Sequence, residues 1–300
     1  MQTISIDEIL RPKPSYPTYP PYHSGLYLEE YFLDFAERNQ ERFSKLKRKY
    51  MPVFWTSCYN NGLYPEWEDN IDRGSRMHYM QEIFNAVNQE DEYFTICQYA
   101  DAPLHEVPKN TLIFSAGGNY SGTCSVVPIP LVCGNIPKTE TKEKDILVSF
   151  VCSTTHPIRE EIVNTLTQED VIIKDKGGWN ISVGDDDLKT FIDTTNRSKF
   201  ALCPRGYGPT SFRLYEVMQL GAIPVYVSND LYLPWSDELN WEEFSVLVSE
   251  SDINNLYDRL KNISDDDYTK MKENLKQVYE NYFTLEGTCE NILKRLENGI

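Results

Sequence analysis

The stretch that decides the fold begins with DILVSFVCSTTHPIREEIVNTL (145–166) and continues through DVIIKDK (170–176) and DLKTFIDTTNRS (187–198). It runs on as KFALCPRG (199–206), TSFRLYEVMQLG (210–221) and AIPVYVS (222–228). The apolar runs are short and unbroken, as strands buried on both faces read, and segments of helical length and spacing separate them. FSVLVSE (244–250) adds a strand, SDINNLYDRLKNI (251–263) a helix and DDDYTKMKENLKQVYENYF (265–283) a longer one. Strand and helix in strict turn imply a parallel sheet with helices on both faces.

Upstream the alternation is looser. LYLEEYFLDFAERNQERFSKLKRKY (26–50) carries Leu28, Tyr31, Phe32, Phe35 and Phe43 at helical spacing, and Lys45, Lys47, Arg48 and Lys49 read as a helix end. MPVFWTSCY (51–59), YFTICQY (93–99), TLIFSAGG (111–118) and VVPIPLVCG (126–134) read as strands, with a helix around Arg76 to Gln89. The first 25 residues are too rich in proline and tyrosine for regular helix. The polar, charged segment from Ile136 to Asp145 reads as a linker. Two α/β domains follow, 1–144 and 145–300, with the last helix free to pack back on the first.

The chain has 300 residues and a net charge of −17. So acidic a surface repels polyanions, which removes nucleic acid and anionic membranes from the expected partners. No stretch approaches the ~20 apolar residues of a membrane span, and the N-terminus lacks the basic and apolar regions of a signal peptide. Seven cysteines without a C-x-x-C pair read as free thiols in a reducing compartment, so the expectation is a cytoplasmic protein without a zinc site. On that reading the four N-x-S/T sequons, at Asn119, Asn180, Asn196 and Asn262, go unused.

In open parallel sheets ligands bind beyond the carboxyl ends of the strands. The loop CPRGYGPTSFRLYE (203–216) is such a place: a strand ends, two glycines and two prolines shape a turn, and a helix begins near Thr210 or Ser211. Free N–H groups at that helix start would suit a phosphate. Arg205 and Arg213 add fixed charge, and Glu216 lies where a carboxylate can accept the hydroxyls of a ribose. Read from spacing alone, the same residues also make an ordinary cap, turn and solvated helix.

The run KFALCPRGYGPTSFRLYEVMQLGAIPVYVSNDLYLPW (199–235), followed by LNWEEFSVLVSESDI (239–253), resembles the signature of exostosin-like glycosyltransferases, family 47 of the glycosyltransferase classification. The resemblance continues upstream in DILVSFVCSTTHPIRE (145–160) and, more loosely, in YMPVFWTS (50–57) and QYADAPLHEVPKNTLIFSAGG (98–118). It implies a GT-B architecture, two Rossmann-like domains facing each other across a cleft with the nucleotide sugar on the C-terminal one. It also implies inversion at the anomeric carbon and no obligatory metal. By the same resemblance Arg205 and Arg213 lie beside the donor phosphates, Glu216 is the ribose-binding acid, and Thr210 and Ser211 are the polar pair at the helix start. Tyr207 joins this donor-binding set. His156 and Arg159, at the first strand-to-helix turn of the same domain, are placed to reach the diphosphate, the alternative for Arg159 being a partner on its own helix. The family's eukaryotic members carry a membrane anchor and stem, which this sequence lacks, so a short soluble member of bacterial or viral type is expected.

A metal-dependent GT-A enzyme would need an acidic D-x-D at a strand end. Asp185–Asp187 and Asp265–Asp267 fit on paper, but both triplets run into helical segments, where aspartates cap free N–H groups. An inverting enzyme needs a general base. Asp101, just after YFTICQ, is the first candidate; His105 and His23 follow. The glycines of SAGGN (115–119) would let backbone approach a ligand, and the aromatics of YPTYPPYH (16–23) would stack on acceptor sugars or strap the surface. The expected activity is transfer from a nucleoside-diphosphate sugar, a UDP-sugar such as UDP-xylose, a UDP-hexose or a UDP-uronic acid, to a glycan hydroxyl, with no cofactor. The alternative is a catalytically silent glycan-binding or scaffolding subunit.

Overall fold

A computed structural model describes residues 10–12, 27–60, 73–132, 134–137, 140, 142–178 and 184–300. His23, the proline- and tyrosine-rich stretch, Cys133 and Asn180 lie outside the described residues. The chain divides into two compact units, Met1–Gly134 with Thr284–Ile300, and Asn135–Phe283.

In the first unit the order is α1 (Leu28–Arg38), α2 (Gln40–Phe43), β1 (Lys49–Tyr50), α3 (Trp55–Asn60), α4 (Arg73–Ala86), β2 (Tyr93–Cys97), β3 (Thr111–Ser115) and β4 (Ser125–Pro128). The four strands form one sheet in sequence order, every pair parallel. Successive side chains of a strand point to opposite faces, so β2 serves two layers. Phe94 stacks on Tyr50 (5.0 Å) and meets Phe32 of α1 edge-on (6.2 Å), whereas Tyr93 and Cys97 join Trp55, Tyr59 and Phe84. Burial of these aromatics stabilises the unit.

The segment 51–59 departs from the expected strand. The strand is only Lys49–Tyr50, and Trp55–Asn60 is helix. Trp55 donates its indole N–H to Thr95 Oγ1 (2.9 Å), and the buried Glu29 carboxylate accepts the Thr56 N–H (3.0 Å), so the first turn of this helix is capped from α1. A short apolar run carries no period that separates strand from helix. The basic run also lies beyond the helix, which ends at Phe43; Lys47 pairs with Glu92 and Lys49 with Asp91.

The second unit holds β5 (Ile146–Cys152), α5 (Pro157–Thr165), β6 (Val171–Asp175), α6 (Asp185–Asn196), β7 (Ser198–Pro204), α7 (Phe212–Gln219), β8 (Ile223–Val227), β9 (Val246–Val248), α8 (Ile253–Lys261) and α9 (Asp265–Val278). Its sheet is parallel throughout, in the order β6-β5-β7-β8-β9. The α/β class and the two parallel-sheet units expected from the sequence are what the chain contains. In this order the chain winds one way from β5 to β6 and the other way from β7 onward. The loops leaving β5 and β7 therefore diverge at the switch point, where doubly wound sheets bind ligands.

The division between units falls at Gly134/Asn135, ten residues before the expected boundary. The polar segment expected as a linker is tied to the second unit. Ile136 donates its N–H to Gln219 Oε1 (2.8 Å), Asn196 donates to Glu140 O (2.7 Å), and Lys142–Asp193 and Arg197–Asp145 are ion pairs. The closing helix α10 (Leu285–Glu297) belongs to the first unit, where Arg42 of α2 pairs with both Glu290 and Glu297 at 2.8 Å. Among the described residues no helix is long and apolar enough to cross a membrane. Six cysteines are free thiols: Cys58, Cys97, Cys124, Cys152, Cys203 and Cys289.

Candidate functional site

At the switch point, β7 ends at Pro204 and the chain turns through 205–211 into α7. Arg205 N–H donates to Val227 O (3.0 Å), Gly206 N–H to Thr210 O (3.4 Å), and the buried Tyr226 hydroxyl to Pro209 O (2.8 Å). The same hydroxyl accepts the Tyr232 N–H (3.0 Å), so Tyr226 fastens two loops at once. Ser211 is the N-cap of α7 and its Oγ accepts the Arg213 N–H (3.3 Å). One of the helix-start donors expected for a ligand is thus taken by the cap itself.

The side chains around this turn are incompletely paired. Arg205 Nε, Thr210 Oγ1 and Arg213 Nη1 are buried, and among the described residues none of the three has a hydrogen-bond partner. A buried donor left unpaired costs about 1–3 kcal/mol, so three within nine residues are unusual outside a site that meets a polar ligand. Arg205 makes one long ion pair, Nη1 to Asp230 Oδ2 at 3.6 Å. The Arg213 guanidinium lies 3.8 Å above the Phe191 ring, and its Nε is 3.4 Å from Glu216 Oε2.

Glu216 is buried, and among the described residues no hydrogen bond reaches its carboxylate. Burial raises its pKa, against the lowering pull of Arg213 and Lys176. An ionised carboxylate accepts at about four lone-pair sites, so this one retains capacity for hydroxyl donors. Lys176, just beyond β6, completes the cluster; its pKa is lowered by burial, while Asp187, 3.5 Å away, favours the charged form. Tyr207, at 76% exposure, projects from the turn.

His156 and Arg159 come from the loop leaving β5. His156 is the N-cap of α5 and its Nδ1 accepts the Ile158 N–H (3.3 Å), which leaves the proton of the neutral ring on Nε2. Burial, then the charge of Arg205, lowers its pKa. Arg159 is neither a helix partner nor aimed at open space. Its Nε donates to Arg205 O (3.1 Å), Nη1 to Ser153 O (3.1 Å) and Nη2 to Pro204 O (3.2 Å).

The second unit therefore brings His156, Arg159, Arg205, Tyr207, Thr210, Ser211, Arg213 and Glu216 to one end of its sheet. Lys176, Phe191, Tyr226 and Asp230 stand among them without having been singled out from the sequence. Lys176 had a legible signal, its place at the carboxyl end of the strand DVIIKDK; the other three are set by packing.

The two aspartate triplets occupy first turns of helices, Asp185–Asp187 in α6 and Asp265–Asp267 in α9, and pair there with Lys176, Lys189 and Lys199. Among the described residues no three acidic, histidine or cysteine side chains gather where they could hold a metal.

In the first unit Asp101 follows β2, and its Oδ1 accepts the Asn119 amide (3.0 Å). A Cβ on Gly117 would lie 2.2 Å from Ala100 Cα, so this glycine admits the neighbouring loop of the chain itself rather than a ligand. His105 departs from the expected base. Its Nε2 donates to Met77 O (2.9 Å), its Nδ1 accepts from Tyr59 Oη (2.8 Å), and its ring stacks on Tyr59 at 5.7 Å. Both nitrogens are committed, and burial lowers its pKa. Packing accounts for this histidine.

Among known proteins, the Exostosin GT47 domain matches residues 111–263. A probable glucuronosyltransferase of Oryza sativa, GUT1, is 41% identical over 71 residues, 24% of this chain and 17% of that protein. A probable β-1,4-xylosyltransferase of Arabidopsis thaliana, IRX10, is 39% identical over 71 residues, with the same shares. The matched part thus spans under a fifth of the length of these relatives. Among solved structures, S. aureus TarM in a complex that includes UDP aligns over 75% of this chain and 59% of its own, at 10% identity and a TM-score of 0.43. The domain match takes in the parallel strands from β3 to β9, the 205–213 turn and Glu216: the chain belongs to the exostosin GT47 family.

Proposed function

We propose that the chain is an inverting glycosyltransferase that moves a sugar from a nucleoside diphosphate, UDP in the first instance, to a hydroxyl of a glycan acceptor. The observation that carries this reading is the trio of unpaired buried donors, Arg205 Nε, Thr210 Oγ1 and Arg213 Nη1, on a turn at the switch point of a parallel sheet. A diphosphate supplies the acceptor oxygens that such donors lack, and Glu216 supplies lone pairs for the ribose hydroxyls. The names of the two plant relatives include glucuronosyl and xylosyl transfer, which supports a uronic acid or pentose as the sugar.

In the reaction the acceptor oxygen attacks the anomeric carbon on the face opposite the leaving group. The bond from that carbon to the β-phosphate oxygen breaks, and its electron pair leaves with the diphosphate. Arg205 and Arg213 neutralise the developing charge, the part a metal ion plays in other transferases. The acceptor proton passes to a carboxylate, which we assign to Asp101. The Asn119 amide on Oδ1 orients that side chain.

The test is transfer from a panel of UDP-sugars to oligosaccharide acceptors, with the anomeric configuration of the product read by NMR. Inverted product is expected. Asp101→Asn is expected to lower turnover by ~10²-fold with donor affinity nearly unchanged. Retained configuration would contradict the mechanism, and near-normal turnover in the variant would remove Asp101 from it. A glycan-binding subunit without activity would bind acceptor and give no product with any donor.

A further inference from the structure

Arg159 bridges the two diverging loops of the switch point. Its three bonds go to backbone carbonyls, Ser153 O in the loop leaving β5 and Pro204 O and Arg205 O at the end of β7. A carbonyl carries no net charge, so a guanidinium directed at three of them acts by geometry: a planar fork holds two chain segments at a fixed separation. Nη2 also lies 3.7 Å from where a Cβ on Gly206 would stand, so the fork runs along the backbone at the start of the turn.

We infer that Arg159 is a positioning residue, a clamp that sets the separation of the β5 and β7 loops and thereby the aim of Arg205, rather than a group that contacts the donor diphosphate. The inference rests on the donor-site reading above for its ligand. Arg159 is half-buried, and burial followed by the charge of Arg213 lowers its pKa, so the three carbonyl contacts offset the cost of placing a guanidinium there. A lysine at this place keeps one positive charge and the aliphatic stem. It lacks the planar fork, and one ammonium cannot reproduce three bonds pointed in three directions.

The test compares Arg159→Lys and Arg159→Ala with the wild type in two measurements well below the melting temperature. Amide exchange without nucleotide should rise at Arg205 and Gly206, whose N–H groups bond to Val227 O and Thr210 O, while β5 and the start of β7 keep their protection. UDP affinity by calorimetry should fall about tenfold in both variants, with lysine giving no rescue. Wild-type affinity in Arg159→Lys would mean that charge suffices, and the clamp would be overturned. So would unchanged exchange at Arg205 and Gly206 in either variant. Absence of UDP binding by the wild type would sink the donor-site reading and leave the exchange result to decide on Arg159.

Discussion

The loops that follow β2 in the first unit and β7 in the second occupy the same kind of place, the carboxyl end of a parallel strand, and treat their polar groups in opposite ways. After β2 the polar atoms are matched within the chain. Glu29 accepts from Gln98 N–H, Thr56 N–H and the Thr56 hydroxyl, all between 2.9 and 3.0 Å; Glu30 accepts from Ser57 and Tyr27; both nitrogens of His105 are engaged. After β7 Arg205 Nε, the hydroxyl of Thr210 and Arg213 Nη1 are buried without hydrogen-bond partners among the described residues. A matched network holds its own fold together, whereas an unmatched one lowers stability until something else completes it. The second loop has the character of a site.

Four substitutions separate these roles, and the largest effect belongs to the first unit. Phe94→Ala removes a ring packed among Phe32, Tyr50 and Phe114 and is expected to cost about 3–5 kcal/mol, read as a fall in the denaturant midpoint. No residue of the 205–216 turn is among those rings, so UDP affinity measured on the folded variant should stay at the wild-type value. A joint loss of stability and affinity would break the division of labour.

The second change tests the matched network through pH. Burial raises the pKa of Glu29 from 4.5 to about 7, and burial and then Glu29 raise that of Glu30. The folded chain therefore holds a proton that the unfolded chain gives up above pH 4.5, so this contribution is fully present below 4.5 and is lost as pH rises through about 7. A tenfold change in proton affinity is worth roughly 1.4 kcal/mol, so the loss is a few kcal/mol at most. Glu29→Gln, which cannot titrate, should flatten the fall in stability across that window, as followed by chemical denaturation at several pH values. An unchanged slope would place the pH dependence elsewhere.

The smallest effect belongs to the unmatched side. Arg205→Ala and Glu216→Ala should each weaken UDP binding about tenfold or more, the worth of one charge-assisted contact of about 1.5–3 kcal/mol. Unchanged affinity in either variant would move that residue out of the site.

What the sequence discloses follows the same line. The second unit was legible because its strands are buried on both faces and its helices start at caps; the turn at 205–211 follows from the strand end, the glycines and the arginines together. The helix at Trp55–Asn60 was hidden because it is set by Glu29, which with Glu30 in α1 looks like part of a solvated face and is buried instead. The helical spacing of Leu28, Phe32 and Phe35 identified the core stripe, and Glu29 and Glu30 sit outside that pattern. Arg159 shows the other limit. Its charge and its place at the first strand-to-helix turn of the second unit point to a phosphate, but its partners are backbone carbonyls, which leave no trace in a sequence. His105 likewise offers a lone histidine to a reader of the sequence, while Tyr59, 46 residues earlier, is what commits it.

Everything proposed for the second unit depends on whether the unmatched turn is a nucleotide site. The measurement is a calorimetric titration of the wild-type chain with UDP in EDTA, repeated with Mg²⁺ or Mn²⁺ in place of the chelator. Arginine side chains and the start of α7 supply the positive charge, so binding in EDTA is expected, at an affinity the metal leaves essentially unchanged. Binding that needs the metal, or no binding under either condition, would contradict it.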